Sequence, residues 1–316
     1  MCGKGAAFHC AVRLALALFG PATIALAQQS PVIKVNVRLV HVLATVKDEH
    51  GQPVTGLRKS DFHIADNGVP QDIAIFEPRT EQPLSVSVLI DTSGSTGIEL
   101  KYETDSVARF FRELVREGNP DDAAALYTFN WEVWQVNNFT RNIPRLEQRL
   151  KQLHSDGGTS LYDALYLAAR DLEDREGRHV VIVVTDGGDT TSSKDYRAAL
   201  RSCHNADVVL YPILVIPIRN DAGRNTGGEN ALTTLAQGTG GHVFAPSLGP
   251  QLDRAFGDIL RELRTQYFLG YYPKNLPYTK ELFHQIRVTV DHPGLRVVTR
   301  TGYYGEAEES SSREVR

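Results

Sequence analysis

Cysteine is scarce: three residues in 316, and two of them, Cys2 and Cys10, lie at the very start of the chain. Cys203 stands alone in the rest, and one thiol forms no intramolecular disulfide, so the fold must hold through its core. Cys203 itself reads as a buried, inert residue. Beyond Ala27 no apolar stretch reaches the about 20 residues that a membrane-spanning helix needs. No lipid-attachment cysteine follows the first apolar run. The G-x-S-x-G pattern of a serine hydrolase is missing, because the residue two before Ser95 is Ser93. Phosphate-loop spacing is missing too. Gly238-Thr239-Gly240-Gly241 falls short of G-x-G-x-x-G, since Val243 holds its last position, and reads as a turn. No internal repeat is evident.

The first segment reads as a targeting element. Lys4 and Arg13 are the only charges before the apolar stretch Leu14 to Ala27, which ends in Ala25-Leu26-Ala27, the small-x-small pattern of a signal peptidase site. Residues 1–27 are therefore expected to leave as a signal peptide, giving a soluble chain from Gln28 in the periplasm or outside the cell. Lys and Arg number 34 against 38 Asp and Glu; without Lys4 and Arg13 the balance is 32 against 38, a net of −6. That acidity argues against a nucleic-acid partner.

The chain is organised around Leu84 to Ser95, LSVSVLIDTSGS. Val86, Val88, Leu89 and Ile90 predict a strand buried on both faces of a parallel sheet, with Asp91 at its carboxyl end. In open α/β sheets ligands bind beyond those ends. Two more oxygen-bearing pieces follow in the same setting. Thr159 lies in Ser155-Asp156-Gly157-Gly158-Thr159-Ser160, before an expected helix, and Asp186 follows the apolar run Val180 to Thr185. Hydroxyl and carboxylate oxygens are hard ligands suited to Mg²⁺, Mn²⁺ or Ca²⁺, whereas zinc would recruit histidine or thiolate.

Asp91-Thr92-Ser93-Gly94-Ser95 together with Thr159 and Asp186 resembles the metal-ion-dependent adhesion site of von Willebrand factor type A domains. The resemblance spans about 84–265, a usual domain size. It implies a doubly wound α/β fold, Rossmann-like, with a mostly parallel sheet. It also implies a divalent cation, Mg²⁺ first and Ca²⁺ or Mn²⁺ as alternatives, held by Asp91, Ser93, Ser95, Thr159 and Asp186. In relatives such as the integrin inserted domains an acidic residue of a protein partner completes the metal shell, so the expected partner here presents an Asp or Glu. Metal-dependent hydrolysis and a scaffold with a vestigial site are the alternatives.

On both sides of that region the periodicity is that of strands. Val35, Val37 and Leu39 alternate with polar residues, Asp48 to Gly51 marks a turn, and Asp66-Asn67-Gly68 is a hairpin signal. After Thr265 the alternation returns in Tyr267 to Tyr271, Ile286, Val288, Val290, and Val297 to Thr301. Each β piece is marginal as a separate core, so segments 31–80 and 266–305 are expected to pair as one small sandwich, with the α/β region inserted between them. Asp66-Asn67-Gly68, Tyr271-Tyr272-Pro273 and Gly302-Tyr303-Tyr304, in this order, resemble the von Willebrand factor A-related family described from acidobacteria. Residues 306–316 read as a disordered tail.

Within the α/β region, Val107, Phe110, Phe111, Leu114 and Val115 predict an amphipathic helix, and Ala123 to Phe129 and Glu132 to Phe139 predict two strands. Trp131 and Trp134 are expected to pack beneath loops. Ser160 and Asp163 form a capping-box pattern. Pro212 interrupts the strand Val208 to Ile216 and puts its pairing in doubt. Residues 219–230 read as a glycine-rich loop that either shapes partner choice or merely connects. His242 to Ala245 is expected to be the last strand of the sheet, and Leu252 to Leu263 the closing helix.

Overall fold

The computed structural model describes residues 39–94, 96, 99–215, 225–247, 249–276 and 282–305. The expected signal segment 1–27, Val35 and Val37, Ser95, residues 219–224 of the expected loop and the tail 306–316 lie outside the described residues.

Alternation builds the first strand, β1 (Val40–Lys47), with Val40, Val42, Ala44 and Val46 turned into a core. Asp48 then closes the expected turn, its Oδ1 accepting the N–H groups of His50 at 2.9 Å and Gln52 at 2.8 Å. β2 (Phe62–Asp66) and β3 (Val69–Gln71) meet at Asn67 and Gly68, whose φ values of 46° and 80° are those of a two-residue hairpin turn. β4 (Ile73–Glu77) follows.

The central region alternates strands and helices: β5 (Leu84–Asp91), α1 (Leu100–Glu117), β6 (Ala123–Phe129), β7 (Val133–Thr140), α2 (Ile143–Leu150), α3 (Leu161–Glu173), β8 (Arg178–Thr185), α4 (Tyr196–Asn205), β9 (Val208–Leu214), α5 (Thr226–Thr239) and α6 (Pro250–Leu263). The sheet order is β7-β6-β5-β8-β9, with β5, β6, β8 and β9 parallel and β7 antiparallel at one edge. Every residue of β5 and β8 is buried, because helices cover both faces. Val86, Val88 and Ile90 pack with α1, α2 and α6, whereas Leu89 packs with α3, α4 and α5.

β9 is the edge strand opposite β7, which explains how Pro212 is tolerated. The expected strand at 242–245 is not formed, and Phe244 alone bridges Ile213. Phe244 N–H donates to Pro212 O at 2.8 Å and Leu214 N–H to Phe244 O at 2.7 Å. The next bond of that parallel ladder would need an N–H at residue 212, which proline lacks. Part of the expected loop is also a helix: Thr226 to Asn230 are the first residues of α5, capped by Asn225, whose side chain accepts the N–H of Gly228. Gly228 fits there because a Cβ would lie 1.6 Å from Gly187 O.

The chain then returns to the first strands. β10 (Tyr267–Tyr271) inserts between β1 and β4, and β11 (Phe283–Val290) pairs with β2. With β12 (Arg296–Val298) and β13 (Gly302–Tyr304) they complete two four-stranded sheets, ordered β12-β1-β10-β4 and β13-β11-β2-β3. One core containing Val42, Phe62, Ile64, Tyr267, Leu269, Ile286 and Val288 lies between them. The architecture is thus a doubly wound α/β fold inserted into a small β-sandwich that both ends of the chain build.

Candidate cation site at the carboxyl end of the sheet

Asp91 is the last residue of β5 and is 0% exposed. Its Oδ1 accepts the Ser93 N–H at 2.9 Å, and its Oδ2 accepts the Thr185 hydroxyl at 2.6 Å. The Thr96 hydroxyl folds the loop back, donating to Asp91 O at 2.9 Å and Ser93 O at 3.0 Å. Asp186 follows directly on Thr185, half-buried at the end of β8, with its Oδ1 3.3 Å from the Gly188 N–H.

Thr159 reaches this crevice through a third loop. Gly94 N–H donates to Gly157 O at 3.2 Å and Asp156 N–H to Thr92 O at 2.8 Å, which stitches the 156–159 loop to the Asp91 loop. Thr159 N–H donates to the Thr190 hydroxyl at 2.9 Å, and Thr159 O accepts the N–H groups of Thr190 at 2.8 Å and Thr191 at 3.1 Å. Asp91, Ser93, Thr159 and Asp186 therefore belong to three loops bonded to one another; Ser95 lies outside the described residues.

The electrostatics of the site are one-sided. Burial pushes the Asp91 carboxyl up to about 6, against the hydrogen bonds from Thr185 and Ser93, and the negative charge of Asp186 adds to the rise. Glu103, on the first turn of α1, is 1% exposed. Neither of its carboxylate oxygens has a hydrogen-bond partner among the described residues. Burial first, then Asp91, Glu99 and Asp186, push it up to about 8. Among the described residues no group of three or more His, Cys, Asp or Glu side chains is gathered closely enough to hold an ion by itself. Any cation here would rest on hydroxyls as well as acids, and the donors at hand, carboxylate and hydroxyl oxygens around a buried acid, fit a hard divalent ion.

Several side chains around the site differ from what the sequence suggests. Ser160 makes no capping bond to α3; its hydroxyl donates to Trp131 O at 3.1 Å and shares a proton with Thr191 at 2.8 Å. The helix is capped from a distant loop instead. Tyr162 N–H donates to Asp189 at 3.2 Å and Asp163 N–H to the Ser192 hydroxyl at 3.1 Å. Trp131 and Trp134 are not packed beneath loops but stand 59% and 61% exposed. The β6–β7 turn is too short to cover them, and the Trp131 ring leans on Gly157, where a Cβ would come within 2.7 Å of it. Thr185, Thr96, Thr190 and Glu103 were not foreseen as site residues. Thr185 carries a faint signal, a hydroxyl closing an otherwise apolar run; Glu103 carries one too, an acid on the apolar stripe of α1.

Comparison with solved structures finds similar folds at low identity. The von Willebrand factor domain of the type V pili tip protein Mfa5 from Porphyromonas gingivalis is 15% identical over 57% of this chain and 94% of that one, with a TM-score of 0.49. The conserved hypothetical protein BatB from Bacteroides thetaiotaomicron is 16% identical over 57% and 98%, at 0.46. An aerotolerance-related membrane protein from Bacteroides fragilis is 20% identical over 57% and 98%, at 0.44. Comparison with curated proteins gives no match. The family model of the von Willebrand factor type A domain matches residues 85–257, more than half of the chain and the whole of the strand-and-loop framework that carries Asp91, Thr159 and Asp186, and the chain belongs to that family.

Proposed function

We propose that this chain is an exported protein-interaction module whose contact with its partner runs through a divalent cation, Mg²⁺ before Ca²⁺ or Mn²⁺. Asp91, Ser93, Ser95, Thr159 and Asp186 hold the cation, and an Asp or Glu carboxylate of the partner completes its shell. The observation that carries the reading is Asp91: a fully buried carboxylate at the meeting point of three loops, with no lysine or arginine paired to it among the described residues. A bound cation supplies positive charge there and an open position for an outside oxygen. Thr185 and the Ser93 N–H aim Asp91, and the Thr190 and Thr191 contacts hold Thr159 against the crevice. Asp91 and Asp186 only balance two positive charges, so an incoming carboxylate is attracted where a neutral surface is not. The export part rests on the signal pattern; among the described residues no helix is long and apolar enough to cross a membrane.

The test is calorimetric titration of Mg²⁺, Mn²⁺ and Ca²⁺ into the wild type and Asp91→Ala, then capture of partners with and without chelator. The expected outcome is saturable binding by the wild type, loss of at least about 100-fold in Asp91→Ala (about 2.7 kcal/mol), and an unchanged fold by circular dichroism. Equal affinities, or capture indifferent to chelation, would remove the metal bridge. Turnover of a phosphoester on adding the cation would turn the reading toward a metal-dependent hydrolase.

A further inference from the structure

α1 lays its buried stripe along the sheet through Leu100, Glu103, Ser106, Val107, Phe110, Phe111 and Leu114. Five of these seven are apolar, Ser106 is a small hydroxyl that meets Arg109, and Glu103 is an acid buried as completely as its neighbours. An ionised carboxylate in that position is costly unless a positive charge or hydrogen-bond donors meet it. Neither is present among the described residues: both oxygens lack partners, and the charges that act on Glu103 are all acidic, Asp91 first, then Glu99 and Asp186. A leucine or methionine would fill the space with no such penalty. The position makes sense when a cation stands in the crevice above, because Glu103 sits one helical turn after the loop that carries Asp91 and feels the same charges.

We propose that Glu103 is the third acid of the cation centre, an outer-shell counter-charge that raises cation affinity from beneath the Asp91 loop while destabilising the cation-free protein. The inference rests on the cation reading above and adds to it a residue outside the five expected ligands. Glu103 does not have to touch the ion. A charge held in a poorly solvated core acts over several ångströms with little screening.

The two halves of the proposal move in opposite directions on substitution. Glu103→Gln and Glu103→Met should each bind Mg²⁺ and Mn²⁺ about tenfold more weakly by calorimetry, and Glu103→Met should melt at a higher temperature than the wild type in chelator. A merely structural role for Glu103 gives the other pattern, with a lower melting temperature in chelator and unchanged affinity. Wild type and Glu103→Gln binding within about twofold of each other, while Asp91→Ala loses binding, would overturn this inference and leave the proposed function standing. No binding by the wild type would remove both.

Discussion

Two of the buried acidic centres among the described residues, one around Asp66 and one around Asp91 and Glu103, have contrasting surroundings. Asp66, at the end of β2 in the sandwich, is 0% exposed, like Asp91. Its Oδ2 accepts hydroxyls from Tyr271 at 2.7 Å and Tyr303 at 2.9 Å. His284 Nδ1 stands 3.4 Å from Oδ1, near enough for an ion pair but outside hydrogen-bond geometry. Burial, the hydrogen bond and the charge of Asp66 hold the Tyr271 hydroxyl well above its ordinary pKa, so it stays a donor. The acid at Asp66 is thus met by donors from β10 and β13, in the chain's own far end. Around Asp91 and Glu103 the described residues offer the Thr185 and Ser93 hydroxyls and the Ser93 N–H, all to Asp91, and more negative charge. Asp66 is tied within the sandwich by two hydroxyls, although its Oδ1 has no hydrogen-bond partner among the described residues; Glu103, with neither oxygen bonded and only acids acting on it, marks a place where positive charge from outside belongs.

That contrast gives the largest expected effect on stability. Asp66→Ala strands the buried Tyr271 hydroxyl and takes the partner from the half-buried Tyr303 hydroxyl, and should lower the free energy of unfolding by about 2 to 4 kcal/mol in urea. Cation affinity should stay at the wild-type value, because the change lies in the other core. Asp91→Ala should do the reverse, removing the cation, while in chelator the relief of a costly buried acid offsets the loss of its bonds from Thr185 and Ser93 and leaves a smaller change in stability than Asp66→Ala. A loss of cation binding in Asp66→Ala under conditions where it is still folded would break the separation of the two centres.

A smaller effect is expected from pH. Asp91 and Glu103 have folded pKa values raised from 3.8 to about 6 and from 4.5 to about 8. Between the unfolded and folded values the folded state binds more protons, so stability falls as pH rises. Both acids contribute up to about pH 6, and Glu103 alone from there to about pH 8. The buried His204 and the half-buried His242, whose pKa values are lowered chiefly by desolvation, act in the opposite sense. The readout is therefore the difference between wild type and Glu103→Gln in chelator, measured as melting temperature. The wild type should lose a few degrees more than the variant between pH 5 and 8. Parallel curves would mean that Glu103 gains a proton-independent partner in solution.

The sheet and the strand-end oxygens were legible in the sequence because they depend on local pattern: an apolar run that stops at Asp91, another that stops before Asp186, turns at Asp48 and Asn67-Gly68. What was not legible depends on long-range partners. α2 is a single short helix with Pro144 in its first turn and buries only Leu146 and Leu150, too little to stand out as periodicity. The start of α5 hides behind Gly227 and Gly228, and the second of these is required by the approach of Gly187 O, a residue about 40 positions earlier. Ser160 and Asp163 match a capping box, yet the hydroxyl is taken by Trp131 O and Thr191 and the capping groups arrive from 189–192. The motifs at Asp66, Tyr271 and Tyr303 could be read as a hairpin signal, a strand and marks of resemblance, but not as partners; the fold shows that the three side chains are one hydrogen-bonded cluster.

The finest division lies inside that cluster. Tyr271 is fully buried in the sandwich core, whereas Tyr303, on the short edge strand β13, is only partly covered. Tyr271→Phe removes a donor that water cannot replace, and should lower stability by about 2 kcal/mol, in the range for a hydrogen bond to a charged group. At Tyr303 solvent can approach and supply a substitute donor, so Tyr303→Phe should cost about 1 kcal/mol or less. Because both hydroxyls meet the same Oδ2, each loss leaves Asp66 more dependent on the other, and the double variant should be less stable than the two single effects added. Urea unfolding of the four proteins measures this directly. Additive effects would mean that the two hydroxyls hold Asp66 independently of each other, and neutral effects that neither ties the sandwich together.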